Sequence, residues 1–123
     1  MSHSLRLYSY SRCATCRKAT KWLESNNFDF ELLDIIDTPP ERSILQKAIK
    51  NLLNRKMIFN TSGASYRAIG AKFINEMTDD EALDALQKDG KLIKRPFLVV
   101  DSQKTTVGFK PEVWEKLLLD NML

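Results

Sequence analysis

The chain has 123 residues, 43% of them hydrophobic and 28% charged, with a formal net charge of +3. That length suits one domain with its own core, and the composition excludes both wholesale disorder and a miniature fold dependent on disulfides. No apolar run approaches the roughly 18–20 residues that span a bilayer. Met1-Ser2-His3-Ser4 lacks the apolar stretch of a secretory signal, so a cytoplasmic protein without membrane partners is expected.

Leu5-Arg6-Leu7-Tyr8-Ser9 alternates with period two and predicts a strand. A polar, turn-like segment follows over Tyr10–Thr15, and then Cys16, Ala19, Thr20 and Leu23 fall on one face of a helix that Asn26-Asn27 ends. Phe28–Ile36 predicts a second strand, strongest over Glu31–Ile36. Strand, helix and strand in so short a span imply a parallel pair with a crossover. Thr38-Pro39-Pro40-Glu41 predicts a helix start, with Thr38 as N-cap, Pro39 at the first position and Glu41 closing a capping box. Ile44, Leu45, Ala48, Ile49, Leu52 and Leu53 would form its buried side.

Met57-Ile58-Phe59 leads into the turn signal Asn60-Thr61-Ser62-Gly63, and Tyr66, Ile69 and Phe73 suggest a short helix. Thr78-Asp79-Asp80-Glu81 is a second capping box, opening a helix through Ala82, Leu83, Ala85 and Leu86, with Gly90 placed as a left-handed C-cap. Phe97–Val100 and Thr105–Phe109 predict a hairpin around Asp101-Ser102-Gln103-Lys104. Pro111 and Glu112 begin a final helix whose buried side is Val113, Trp114, Leu117 and Leu118. The fold class is α/β with a mixed sheet, in the order β-α-β, helical middle, β-β-α.

The nineteen basic and sixteen acidic residues are spread along the chain, which argues against a dedicated nucleic-acid surface. One local cluster stands out: Arg12, Arg17, Lys18 and Lys21 surround Cys13-Ala14-Thr15-Cys16. Two cysteines spaced this way at a strand-to-helix junction fit a redox pair. Free amides and the positive end of the helix dipole favour an anion there, which suits a Cys13 thiolate nucleophile. Cys16, about a turn further in, is suited to resolve a mixed disulfide or oxidised adduct on Cys13. Two bland readings compete. A zinc half-site would need further ligands, yet the chain has no other cysteine and only His3. Two inert buried thiols would pack well, although the turn position and neighbouring cations argue against burying Cys13. Lys94-Arg95-Pro96 precedes an apolar strand whose N-terminal end can approach the first helix. Arg95 could there present a planar fork to an oxyanion, although spacing alone favours a surface cation.

The chain resembles the arsenate reductase/Spx family of thioredoxin-like proteins. The resemblance rests on Tyr8–Lys18 with both cysteines, Thr38-Pro39-Pro40, Lys94-Arg95-Pro96-Phe97 and Val107-Gly108-Phe109-Lys110-Pro111. It implies a single thioredoxin-like domain over residues 1–123, a helical insertion at 39–90 and a cis peptide before Pro96. It further implies a nucleophile at Cys13 and three arginines that steady an oxyanion substrate; only Arg95 matches, the other positions being Asn60 and Lys110. Those reductases carry a hydroxyl residue where this chain has Cys16. Arg12 and Pro96 complete the expected substrate side. No bound cofactor is implied, the reductant being glutathione with glutaredoxin, or thioredoxin. The Spx-type regulators share the cysteine pair as a disulfide switch and bind the RNA polymerase α subunit. The glycine they use has no counterpart between Thr38 and Ser62, the nearest position being Asn54, and their C-terminal extension is absent from a chain ending at Leu123. Two functions are therefore expected in order: a thiol-dependent oxidoreductase of the arsenate-reductase-like branch acting on a small oxyanion or disulfide, then a redox-sensing regulator.

Overall fold

The alternating run at the start of the chain forms β1 (Leu5–Ser9) in the computed structural model, which describes residues 3–119. α1 (Ala14–Ser25) and β2 (Glu31–Asp34) follow. The helical middle comprises α2 (Arg42–Asn51), α3 (Ala64–Ile69), α4 (Ala71–Glu76) and α5 (Asp79–Lys88), with short 3-10 turns at Arg55–Ile58 and Gly90–Leu92. The chain then forms β3 (Phe97–Val100), β4 (Lys104–Val107) and α6 (Pro111–Trp114), and α6 runs on as a π-helical turn over Glu115–Leu119.

The strands lie in the order β2-β1-β3-β4. β1 is parallel to β2, with Leu7 opposite Leu32, and antiparallel to β3, with Leu7 opposite Leu98. β3 and β4 form the antiparallel hairpin, with Leu98 opposite Thr106. This is the expected mixed-sheet, thioredoxin-like α/β fold.

Period-two alternation splits the core. Leu5 and Leu7 of β1 and Leu98 and Val100 of β3 point to one face, where Ala19 and Leu23 of α1 meet Trp114 and Leu118. Tyr8, Phe97 and Val99 point to the other, against Ile44, Leu45 and Ala48 of α2 and Leu83 and Leu86 of α5. β3 is therefore buried at all four positions. Each fully buried Leu or Val stabilises the fold by about 1.5–3 kcal/mol. The α2 and α1/α6 layers therefore pack on opposite faces of the sheet.

Several expectations are corrected. α2 begins at Arg42 with Glu41 in the N-cap position and no side-chain cap, rather than at Thr38-Pro39. A residue before proline is pushed out of the helical region, so Pro39 cannot open a helix while Pro40 follows it. The second strand is shorter than Phe28–Ile36; Phe28 and Phe30 instead pack beside the α1 core. The segment around Tyr66 and Phe73 is two helices broken at Gly70, whose φ of +96° turns the chain. Gly90 is no left-handed cap: Asp89 ends α5, and Gly90 is buried where an added Cβ would lie 2.0 Å from the Ile35 carbonyl oxygen. β4 stops at Val107, before Gly108 at φ +74°. Leu53, Phe73 and Val113 are exposed. The Thr78 capping box is formed as expected.

Candidate functional site

At the C-terminal end of β1 the chain turns through Tyr10–Arg12 and enters α1 with Cys13 as its N-cap. The Cys13 amide donates to the Tyr10 carbonyl at 3.0 Å, and the Cys13 carbonyl accepts from the Arg17 amide at 3.2 Å, so the cysteine backbone is held on both sides. Its Sγ occupies the place of a capping oxygen and accepts the Cys16 amide at 3.2 Å. The first turn of α1 holds no acidic residue to compete for that position. The guanidinium of Arg17 folds back to donate to the Ser11 carbonyl at 2.9 Å, bracing the turn.

Cys13 is half-buried and Cys16 fully buried, and both thiols are free. Burial pushes the Cys16 thiol up to about 11, and its contact with Cys13 adds to the rise. The Tyr10 backbone and the Ser9 side chain hydrogen-bond to it and oppose the rise. One thiol is thus half-buried at a helix N-terminus, and the other is fully buried about a turn further in, where burial favours its protonated form.

The Arg95–Pro96 peptide is cis. Pro96 is buried, and its carbonyl accepts the Gly108 amide at 2.8 Å, tying the start of β3 to the end of β4. Arg95 is half-buried, with its guanidinium 4.8 Å from the centroid of the Tyr10 ring. A cleft of about 820 Å³ opens here, lined by Thr15 from the first turn of α1 and by Arg95 and Lys110. Lys56 and Lys94 line it as well, and among the described residues no acidic side chain does so.

The structure places Cys13, Cys16, Arg95 and Lys110 at one end of the sheet; Arg95 and Lys110 line the cleft, which reaches the cysteine turn at Thr15 and is not lined by either cysteine. Arg12 is exposed in the turn just before Cys13, outside the residues lining the cleft. Asn60 is held in its own turn, where its side-chain oxygen accepts from the Ser62 hydroxyl at 3.4 Å and its amide donates to the Leu92 carbonyl at 2.7 Å. Its neighbour Thr61 reaches the cleft. Sequence reasoning gave no role to Tyr10, which touches Arg95 by its ring and both cysteines by its backbone. Nor did it anticipate Lys56, which the 3-10 turn following α2 carries to the cleft. An aromatic residue three positions before Cys13 was the available signal for the first; nothing local marked the second.

A cysteine pair spanning the first turn of α1, at the end of a thioredoxin-like sheet, defines a thiol protein of the thioredoxin-like class. Residues 8–117 match the ArsC family, and the chain belongs to it. It is 44% identical to the protein YusI of Bacillus subtilis (strain 168) over 115 residues, covering 92% of this chain and 97% of that protein. It is 33% identical to the regulatory protein MgsR of the same organism over 113 residues, covering 90% and 87%. The crystal structure of a possible arsenate reductase from Streptococcus mutans UA159 superposes with a TM-score of 0.83 at 35% identity, covering 98% of each chain. No helix among the described residues is long and apolar enough to cross a membrane.

Proposed function

We propose that the protein is a cytoplasmic thiol–disulfide oxidoreductase with Cys13 as nucleophile and Cys16 as resolving thiol. The observation that carries this reading is the pairing itself: a half-buried Cys13 Sγ that accepts the Cys16 amide at 3.2 Å, beside a fully buried Cys16 thiol. The Cys13 thiolate attacks one sulfur of a substrate disulfide, forming a mixed disulfide and expelling the other sulfur as a thiolate. Cys16 then gives up its proton and attacks Cys13 Sγ, which releases the second substrate thiolate and leaves a Cys13–Cys16 disulfide. Two electrons have passed from the protein to the substrate, and glutathione with glutaredoxin, or thioredoxin, returns them. An oxyanion would enter the same sequence by condensing with Cys13 and losing water. Arg95 would stand on its anionic side, Lys110 adding charge without a bidentate fork.

The test is turnover with arsenate and with a disulfide, each offered glutathione/glutaredoxin or thioredoxin as reductant. Turnover that disappears in Cys13→Ser is expected. In Cys16→Ser, a mixed disulfide on Cys13 should persist and be visible by mass; rapid loss of that adduct would remove Cys16 from the mechanism.

A second reading is favoured by the 33% identity to a regulatory protein. In it the same pair is a disulfide switch, and the partner is the α subunit of RNA polymerase. Binding to the C-terminal domain of that polymerase component, differing between oxidised and reduced protein and without turnover, would establish this reading over the first.

A further inference from the structure

Thr105, Thr106, Val107 and Gly108 are consecutive, so their side chains and backbone alternate between the two faces of the sheet. All four nevertheless line the same cleft. A cavity over one face would meet only every second residue, so this cleft runs along the free edge of β4. One wall comes from the α2 side, at Leu52, Lys56 and Met57, and the other from the α6 side, at Lys110 and Val113. A second depression of about 330 Å³ continues along Thr105 and Thr106 to Lys116. The trough therefore lies in the plane of the sheet, in the gap between its two helical layers.

Among the described residues β4 pairs with β3 alone, leaving its outer row of backbone N–H and C=O groups without a strand. Edges of this kind are commonly blunted by proline, bulges or charge. Here Thr105-Thr106-Val107 offers none of these, and Lys104 is confined to the end far from the cysteines. β3 is antiparallel to both β1 and β4, so the C-terminal ends of β1 and β4 lie at the same end of the sheet. A strand laid on β4 thus leads toward Thr15 and the cysteine pair. The side chains it would meet include Lys56, Lys94, Arg95, Lys110 and Lys116, with no acidic lining residue among those described.

We infer that the β4 edge is a docking site for an extended, acidic polypeptide segment, which adds as a fifth strand and delivers its own disulfide to Cys13. This deepens the oxidoreductase reading and rests on it: the substrate class is a disulfide carried by a protein rather than a free small oxyanion. Main-chain hydrogen bonds to β4 would supply affinity, and the flanking cations would select charge. In the chemical step the Cys13 thiolate forms a bond to the segment's sulfur as the segment's disulfide breaks, and the leaving thiolate carries off the electron pair.

The probe is a short peptide of alternating Glu and Thr ending in Cys, its thiol activated as a mixed disulfide with a chromogenic aryl thiol. Release of the aryl thiolate should be about tenfold faster than from the same peptide N-methylated on alternate residues, or from its Lys-for-Glu counterpart. Equal rates for the acidic and N-methylated peptides would overturn strand addition while leaving the thiol chemistry standing, and equal rates for the acidic and basic peptides would overturn the charge selection. The same acidic sequence with Ser in place of Cys should slow hydrogen exchange at the amides of Thr105–Val107. That measurement is independent of Cys13, so it judges docking even if no disulfide reacts; unchanged exchange would overturn the inference.

Discussion

The guanidinium of Arg95 lies 4.8 Å from the centroid of the Tyr10 ring, and the Tyr10 carbonyl accepts the Cys13 amide at 3.0 Å. One aromatic residue thereby joins the loop before β3 to the start of α1. The ring face holds the Arg95 guanidinium together with the Lys91 carbonyl at 3.5 Å, and the carbonyl of Tyr10 anchors the backbone of Cys13. On the oxidoreductase reading Tyr10 is a positioning residue, linking Arg95 to Cys13 through its ring and its carbonyl.

Tyr10→Ala removes the ring and leaves the backbone contacts available. A cation–π contact of this exposure contributes about 0.5–1 kcal/mol, so the reaction of Cys13 with an anionic disulfide should slow by about two- to fivefold. Tyr10→Phe keeps the ring face and should restore the rate to near that of the native protein. The check is stopped-flow kinetics with anionic and neutral disulfides, because lost positioning of Arg95 slows the anionic one selectively. Equal slowing of both would mark a general structural defect instead.

Gly90 carries a stronger constraint. Its added Cβ would lie 2.0 Å from the Ile35 carbonyl oxygen and 2.8 Å from the carbonyl carbon, both backbone atoms with little room to move. Gly90→Ala should therefore destabilise by more than about 3 kcal/mol, at the severe end of overpacking. Gly63→Ala meets the Asn60 side-chain amide at 2.6 Å, which can rotate away, so its cost should be far smaller. Urea denaturation of the two variants measures the contrast.

These two glycines show where sequence was readable and where it was not. Signals that act within one turn were legible: the Thr78 capping box, Pro111 opening α6, and the Cys13–Cys16 spacing at the strand-to-helix junction. Pro39-Pro40 was legible as a boundary but misplaced, because each proline restricts the residue before it. Gly90 looked like a C-cap because a glycine just past a helix is the same pattern whether φ or a neighbouring carbonyl demands it. Its reason lies 55 positions away in sequence, at Ile35. The site divides in the same way. Cys13 and Cys16 are set by local geometry, whereas Lys56 and the β4 edge belong to the cleft only because α2 and α6 flank the sheet.

The Thr78 capping box yields a local test. The Thr78 Oγ1 accepts the Glu81 amide at 3.1 Å, and Glu81 Oε1 accepts the Thr78 amide at 2.9 Å. Thr78→Ala should cost about 1 kcal/mol of stability. The Thr78 backbone amide holds the Glu81 carboxyl below its ordinary value of 4.5, with the hydroxyl contact adding to it. Its contribution is therefore present above that value and is lost as pH falls through the lowered folded-state value. The thermal shift between native protein and Glu81→Gln should accordingly narrow in acid.

Cys16 has the opposite sign. Its thiol, ordinarily at 9.0, is pushed up to about 11 chiefly by burial, so the folded protein keeps a proton that the unfolded chain releases at lower pH. The stability linked to this group is complete below about pH 9 and is lost as pH rises through the folded value. The difference between the two values caps the loss at about 2–3 kcal/mol. Cys16→Ala should flatten that part of the alkaline denaturation profile. The same proton governs kinetics. Once Cys13 is held in a mixed disulfide, the burial of Cys16 remains and the thiol must still ionise before it can attack. Resolution should therefore accelerate by about tenfold per pH unit from neutrality until the Cys16 value is reached. Stopped-flow release of the second substrate thiol measures this step, and a rate independent of pH between 7 and 9 would remove Cys16 ionisation from it.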